Sequence, residues 1–127
     1  MARYKPRYGF TLIELLVVMA IIATLLSIAV PRYFHSVEKS KEAILQQDLQ
    51  IMRDAIDKFY GDSGKYPDSL NDLINKKYLR KIPPDPITES AATWVTIPPA
   101  DPSKGGVYDL HSGAEGNGRD GTPYSTW

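Results

Sequence analysis

An uncharged apolar run near the amino terminus constrains this chain more than any other feature. From Leu15 to Val30 there is no charged residue, and Thr24 and Ser27 are the only polar side chains. Extended back to Phe10, the stretch has 21 residues, close to the roughly 20 that cross the hydrocarbon core of a bilayer as a helix. The sequence therefore predicts one transmembrane helix, at residues 10–31.

Basic residues stand directly before this helix. Arg3, Lys5 and Arg7 all precede Gly9, and the positive-inside bias keeps that end cytoplasmic and places the rest of the chain outside. An ordinary secretory signal peptide is cut after its apolar region. Here the candidate processing point, between Gly9 and Phe10, lies before it. Removal of a leader at residues 1–9 would therefore leave the hydrophobic anchor in the mature chain.

Charge and cysteine content exclude several classes of protein. The chain has 15 basic and 15 acidic residues, and loss of the three basic leader residues gives a net charge of −3. A mildly acidic body lacks the clustered basic face of a nucleic-acid-binding protein, so no nucleic acid is expected as a partner. The chain has no cysteine, which excludes disulfides and cysteine-based zinc or redox sites.

The residues around the processing point carry a family resemblance. Gly9 to Leu15 reads GFTLIEL, which resembles the processing motif of type IV prepilins and type II secretion pseudopilins. The resemblance implies that a prepilin peptidase cuts between Gly9 and Phe10 and methylates the new amino group of Phe10. The protein would then be a substrate of that enzyme and not itself an enzyme.

Glu14 needs a partner for its charge. A carboxylate in an apolar helix costs about 2.5–3.5 kcal/mol on translocon scales. The next cation, Arg32, lies 18 residues on, roughly 27 Å along a helix, so it cannot pair with Glu14 in the same chain. The resemblance implies that the amino group of Phe10 in an adjacent subunit is the partner and sets the axial register of assembly. The alternative is a glutamate that snorkels into the headgroups.

Pro31 ends the apolar stretch and predicts a break in the helix. Proline removes one backbone hydrogen bond and clashes with the preceding turn, so a kink or local melting is expected near Ala29. Pilin-like chains often carry a proline here, and a weakened helix would let subunits slide during packing. The alternative is that the transmembrane helix simply stops.

Residues 32–60 are predicted to continue as an amphipathic helix, with polar residues that face solvent or another subunit. Apolar residues recur at steps of three and four: Val37, Ile44, Leu45, Leu49, Met52, Ile56, Phe59 and Tyr60. A helix from near Phe10 to Tyr60 cannot bury itself in a small domain. Its first half must lie in lipid or against copies of itself, which predicts a filament.

Residues 61–127 are predicted to form a small α+β head. Asp68 or Ser69 can cap a short helix that carries Leu70 and Leu73. Trp94–Ile97 and Val107–His111 have the composition of two short antiparallel strands, and Trp94 and Trp127 are expected to be packing anchors. The predicted fold is a long N-terminal spine helix packed against a small antiparallel sheet.

Beyond the processing motif, the order GKYPDSLNDL, IPPDP and HSGAEGNGRDG is similar to the major pseudopilins of type II secretion systems. The resemblance implies a homopolymer, a periplasmic pseudopilus, that forms with minor pseudopilins and an inner-membrane assembly platform and drives protein export. The alternatives are a type IV pilin of a surface filament and, from another class, a membrane-anchored periplasmic enzyme or binding module. The short head offers no serine-histidine-acid arrangement for an enzyme.

The glycine-rich loop Ser112–Thr122 is a candidate calcium site. Calcium takes six to eight oxygen ligands, and glycine lets backbone carbonyls converge on the ion. In the pseudopilins that this chain resembles, the loop binds Ca²⁺, which implies Glu115 and Asp120 as ligands here. The alternative is a solvated glycine-rich turn.

Overall fold

The structure is a computed structural model that describes residues 8–127. The leader cations Arg3, Lys5 and Arg7 therefore lie outside the described residues. Helix α1 spans Leu12–Ser63 and helix α2 spans Leu70–Asn75, followed by strands β1 at Val95–Ile97 and β2 at Asp109–His111. Short 3-10 helices lie at Pro102–Lys104 and Tyr124–Thr126. The chain divides into two compact units between Val37 and Glu38, and each is described by itself.

The N-terminal unit is the exposed, apolar part of α1. This helix is long and apolar enough to cross a membrane. Pro31 lies inside it, and the residues around Ala29 and Pro31 remain helical. The predicted local melting near Ala29 and the alternative that the helix stops at Pro31 are therefore wrong, and the predicted kink stays a prediction. Loss of the one hydrogen bond that Pro31 cannot donate is tolerated because the bonds of the flanking turns remain.

The two polar side chains of the apolar run form hydrogen bonds with the backbone of their own helix. The Thr24 hydroxyl donates to the carbonyl oxygen of Ala20 at 2.8 Å, and the Ser27 hydroxyl donates to that of Thr24 at 2.6 Å. Such back-bonding leaves no hydroxyl in need of a partner in lipid. It explains how a stretch containing both residues remains compatible with a membrane.

The C-terminal unit has one core, built on the second half of α1. The predicted helical periodicity is confirmed there, although Ile44 is 47% exposed and lies outside the core. The core residues come from α1, α2 and the segments around the sheet: Leu45, Leu49, Met52, Ala55, Ile56, Leu73, Trp94, Val107 and Leu110. Trp94 is confirmed as a packing anchor, and its indole N–H donates to the carbonyl of Pro83 at 2.8 Å.

The sheet is antiparallel, as predicted, and pairs Val95 with His111 and Ile97 with Asp109. Both strands are shorter than the sequence suggested. Strand β2 begins later than predicted because the backbone N–H of Val107 donates to the carbonyl of Pro67, at 2.9 Å, and not to β1. Gly106 permits this approach, because a Cβ there would lie 2.4 Å from the backbone oxygen of Asp68. The α+β class is confirmed.

Helix α2 is present where it was predicted, but its cap differs. Ser69 occupies the N-cap position without a side-chain hydrogen bond. Instead, Oδ2 of Asp72 in the first turn accepts from the backbone N–H of Asp68 at 2.9 Å. A carboxylate at this end of a helix also complements the helix dipole.

Candidate processing and assembly site

The predicted scissile bond lies in irregular backbone directly before α1. Gly9 and Phe10 are outside any helix or strand, and the Phe10 side chain is 90% exposed. A Cβ built on Gly9 would meet nothing within 4 Å. The bond is thus accessible, and side chains at position 9 can be changed without disturbing the packing of the described residues.

Thr11, the second residue after the scissile bond, caps the start of α1. Its Oγ1 accepts from the backbone N–H of Glu14 at 3.1 Å, and its carbonyl accepts from that of Leu15 at 3.1 Å. This is half of a capping box, the pattern in which a threonine precedes a glutamate by three residues. The Thr-Leu-Ile-Glu spacing was visible in the sequence, but our prediction used Glu14 only as a charge. The cap keeps Gly9 and Phe10 outside the helix.

Glu14 is exposed in the first turn of α1. The unpaired N–H groups of a helix start favour a negative charge there. The salt bridges of Lys41 with Glu89 and of Arg53 with Asp109 do not include Glu14, which forms no salt bridge within residues 8–127. Its carboxylate therefore remains available to a cation from outside this part of the chain.

The surface beside Glu14 is continuously apolar. The large apolar side chains of the segment are each between 42% and 72% exposed: Leu12, Ile13, Leu15, Leu16, Val17, Val18, Met19, Ile21, Ile22, Leu25, Leu26, Ile28 and Val30. An apolar surface of this extent requires lipid or protein to cover it.

In the C-terminal unit, Glu42 fastens the glycine-rich loop to α1. Its Oε1 accepts from the backbone N–H of Arg119 at 2.8 Å and from the hydroxyl of Tyr124 at 3.3 Å. Burial and the neighbouring charge of Glu42 raise the pKa of Tyr124. The prediction that polar residues of this half-helix face solvent or another subunit is wrong for Glu42.

The same prediction is wrong for Arg53, which joins three parts of the head. Its guanidinium lies 2.9 Å from Oδ1 of Asp109, and it donates to the carbonyls of Leu110 and Trp127 at 2.9 and 2.8 Å. The two charged side chains are only about one-third exposed. Nothing in the periodicity marks Arg53, since these partners follow more than 50 residues later and are set by the tertiary fold.

The predicted calcium ligands Glu115 and Asp120 both lie in the glycine-rich loop. Within residues 8–127, no group of three or more histidine, cysteine, aspartate or glutamate side chains is arranged to hold a metal ion. Glu115 is exposed. Oδ1 of Asp120 already accepts from the hydroxyl and backbone N–H of Thr122, at 2.6 and 3.0 Å, and these bonds lower the pKa of Asp120. Calcium binding at Glu115 and Asp120 therefore stays a prediction.

Backbone hydrogen bonds close the glycine-rich loop. The N–H of Gly118 donates to the carbonyl of Thr122 at 2.8 Å, and that of Gly121 donates to Gly118 at 3.0 Å. The indole of Trp127 donates to the hydroxyl of Thr122 at 2.8 Å and packs against Tyr124 at a ring distance of 5.1 Å. Trp127 is thus a packing anchor of this loop, as expected.

Asp85 and Ser112 form a fully buried polar contact. The Ser112 hydroxyl donates to Oδ2 of Asp85, while Oδ1 accepts from the backbone N–H of Ile87 at 2.8 Å. Nδ1 of the neighbouring His111 contacts the carbonyl of Ser112, at 2.8 Å, and not its hydroxyl. The contact of Ser112 with Asp85 therefore joins two segments of the head that are 27 residues apart in sequence.

Asp48 faces this buried carboxylate and should make the head sensitive to pH. Burial, and next the charge of Asp85, raise the pKa of Asp48 above 3.8. Because the pKa is raised, the ionised Asp48 carboxylate destabilises the folded state, and this effect is fully present at neutral pH. The folded state regains that stability as the pH falls toward 3.8 and the carboxylate becomes protonated. We expect Asp48→Asn to raise the melting temperature at pH 7 by about 2 °C, a gain that shrinks at lower pH in thermal melts. An equal rise in melting temperature at pH 7 and at low pH would show that the raised pKa of Asp48 is not the cause.

Comparison with known proteins begins at the same N-terminal segment. Residues 4–30 match the family described as the prokaryotic N-terminal methylation motif. No solved structure gives a significant match to the chain.

Full-length similarity is to secretion proteins. The chain is 30% identical over 131 aligned positions to type II secretion system core protein G of Klebsiella michiganensis, which covers 95% of this chain and 89% of that protein. It is 30% identical over 114 positions to the core protein G of Escherichia coli, with 82% and 79% covered. The type IV major pilin protein PilA of Myxococcus xanthus is 36% identical over 73 positions, which is 57% of this chain. The chain spans only about a third of that pilin's length, 33%.

Proposed function

Because this chain belongs to the type II secretion system core protein G family, we propose that it is the structural subunit of a periplasmic pseudopilus that drives protein export. The observation that carries the proposal is the combination of an exposed apolar helix with a single carboxylate, Glu14, at its capped start. Such a helix covers its surface by packing against copies of itself. The chain is a pilin-like, major-pseudopilin-type protein, and residues 8–127 contain one helix able to span a membrane.

The finer assignments follow from family membership. A prepilin peptidase would remove residues 1–9 and methylate Phe10. The mature chain would sit in the bacterial inner membrane by a single pass with its head in the periplasm, and would polymerise with itself, minor pseudopilins and the inner-membrane assembly platform. Accessible backbone at Gly9–Phe10 supports the first step. Loss of the leader cations from residues 1–9 leaves the apolar helix as the whole N-terminal anchor.

The second candidate is a subunit of a type IV surface pilus that serves adhesion, motility or DNA uptake. The match to PilA supports it, but that match covers 57% of this chain, against 95% for a core protein G. An enzymatic role is not favoured, because the relatives that match most of the chain are type II secretion system core proteins.

Processing provides the direct test. Position 9 makes no packing contact, so Gly9→Leu should leave the fold intact and block only recognition by the peptidase. We expect mass spectrometry of chains isolated from cells to find a methylated Phe10 terminus for the wild type and the uncut leader for the variant. Tyr8→Leu, at an exposed neighbour, is the matched control and should be cut normally. Complete cleavage of Gly9→Leu would contradict the proposal.

We propose separately that Glu115 and Asp120 bind calcium. A dissociation constant of about 1 mM is typical of extracellular modules, for which 10 mM calcium would stabilise the folded head by about 1.4 kcal/mol. The measurement is thermal unfolding of the full chain in detergent, followed by tryptophan fluorescence. We expect calcium to raise the melting temperature by several degrees and Glu115→Gln with Asp120→Asn to remove that rise. Equal melts with calcium and with chelator would show an ordinary loop.

A further inference from the structure

An aromatic pair follows the apolar run on the same helix. The rings of Tyr33 and Phe34 meet edge to face, with centroids 5.9 Å apart at an angle of 68°. Their side chains are 66% and 60% exposed, although two large rings side by side would ordinarily be buried. Arg32 precedes them directly, so a cation and two amphipathic or apolar rings follow one another along α1.

The position of this pair matches the thickness of a bilayer. Tyr33 lies 21 residues beyond Leu12, which is roughly 31 Å of helix at 1.5 Å per residue, and a hydrocarbon core is about 30 Å thick. The other end of the run carries Phe10, which is 90% exposed. Aromatic residues at both ends of an apolar span are typical of the two membrane–water interfaces.

We propose that Tyr33 and Phe34 form an interfacial anchor that binds the headgroup–acyl boundary of the outer leaflet and fixes the depth of the unassembled subunit. The proposal rests on the membrane insertion included in the proposed function. The Arg32 guanidinium complements the charge of the lipid phosphates, while the Tyr33 ring places its hydroxyl at the wet side and its apolar face toward the acyl chains. The pair holds the last turn of the span below the interface until the subunit is withdrawn.

The absence of cysteine from the sequence allows a clean test. A single cysteine at Val30, one turn before the pair, reports whether that turn is exposed to water. The full chain is placed in vesicles of phosphatidylethanolamine and phosphatidylglycerol and treated with a water-soluble maleimide. We expect Tyr33→Ala with Phe34→Ala to increase the rate of labelling at position 30 by about tenfold, because the helix is no longer held at its depth. Tyr33→Trp with Phe34→Trp should restore the protection.

The matched control removes apolar area from the same helix without touching the interface. Leu25→Ala with Leu26→Ala, at side chains 61% and 52% exposed, should leave the labelling rate unchanged. An equal increase in this control, or no increase in the aromatic variant, would overturn the anchor. Protection that disappears in the wild type when the protein is diluted in lipid would also overturn it, since a second copy would then cover the pair.

A second cysteine position separates this inference from the proposed function. Ala20→Cys, in the middle of the span, should resist labelling in the wild type. Rapid labelling there would mean that the helix does not cross the bilayer, so membrane insertion itself would fail. Protection at position 20 together with an unchanged rate at position 30 would overturn the anchor alone and leave the pseudopilin proposal standing.

Discussion

Replacing Glu14 by alanine should abolish polymerisation while leaving the subunit folded and inserted. The carboxylate has no salt bridge within residues 8–127, and family membership implies the amino group of Phe10 in an adjacent subunit as its partner in the filament. A pairing that offsets the cost of this charge is worth about 3 kcal/mol, or roughly a hundredfold or more in an association constant. The measurement is crosslinking in cells through cysteines introduced between Leu16 and Val30. The wild type should give a ladder of multimers and the variant only monomer and dimer.

Two further variants isolate the charge at position 14. Glu14→Gln keeps the shape of the side chain and should lose the ladder as completely as alanine does. Glu38→Ala removes an exposed glutamate from the same helix, outside the apolar run, and should polymerise like the wild type. Mass spectrometry must show a cut and methylated Phe10 in every variant, so that a lost ladder reports assembly and not processing. A full ladder from Glu14→Gln would refute the pairing.

Replacing Arg53 by methionine should destabilise the head more than any other single polar substitution proposed here. The change removes one ion pair and two hydrogen bonds and leaves Asp109 and the carbonyls of Leu110 and Trp127 without this donor. Breaking a partly buried network of this kind costs about 2 kcal/mol. For a unit of this size, that corresponds to a melting temperature lower by about 10 °C.

The control for Arg53 is the same substitution at Arg80, which is exposed and should change the melting temperature by less than about 3 °C. Arg53→Lys should fall between the two, because a single ammonium keeps the charge but cannot reproduce the planar fork that reaches three acceptors. The measurement is circular dichroism of the full chain in detergent. A melting temperature of Arg53→Met within about 2 °C of that of Arg80→Met, which is less than about 0.5 kcal/mol for a unit of this size, would show that the network contributes little.

The main elements could be predicted from the sequence because they depend on local pattern. Leu45, Leu49, Met52 and Ile56 recur at the helical period, and they are four of the five residues that α1 buries. The apolar run and Glu14 depend only on composition and position. The processing motif is likewise a contiguous run of residues, which is why the family could be recognised before the fold was known.

Features that depend on distant contacts escaped prediction. Glu42 reads as one more charge on an amphipathic helix, but it binds a loop that follows 77 residues later. The effect of Pro31 was overestimated, since the expectation counted the lost hydrogen bond and not the intact turns on each side.

The hydroxyls of Thr24 and Ser27 donate to carbonyls of their own helix, and this affects the free energy of moving the helix from lipid into a filament. A subunit that leaves a bilayer for the interior of a filament exchanges one dry, apolar environment for another, and neither hydroxyl has to change its partner on the way. Because lipid and close-packed side chains are similarly apolar, this exchange involves little net desolvation of the helix. The preference for one environment over the other then depends on the two ends of the segment, on the carboxyl group of Glu14 at its start and on the aromatic pair of Tyr33 and Phe34 after its last turn.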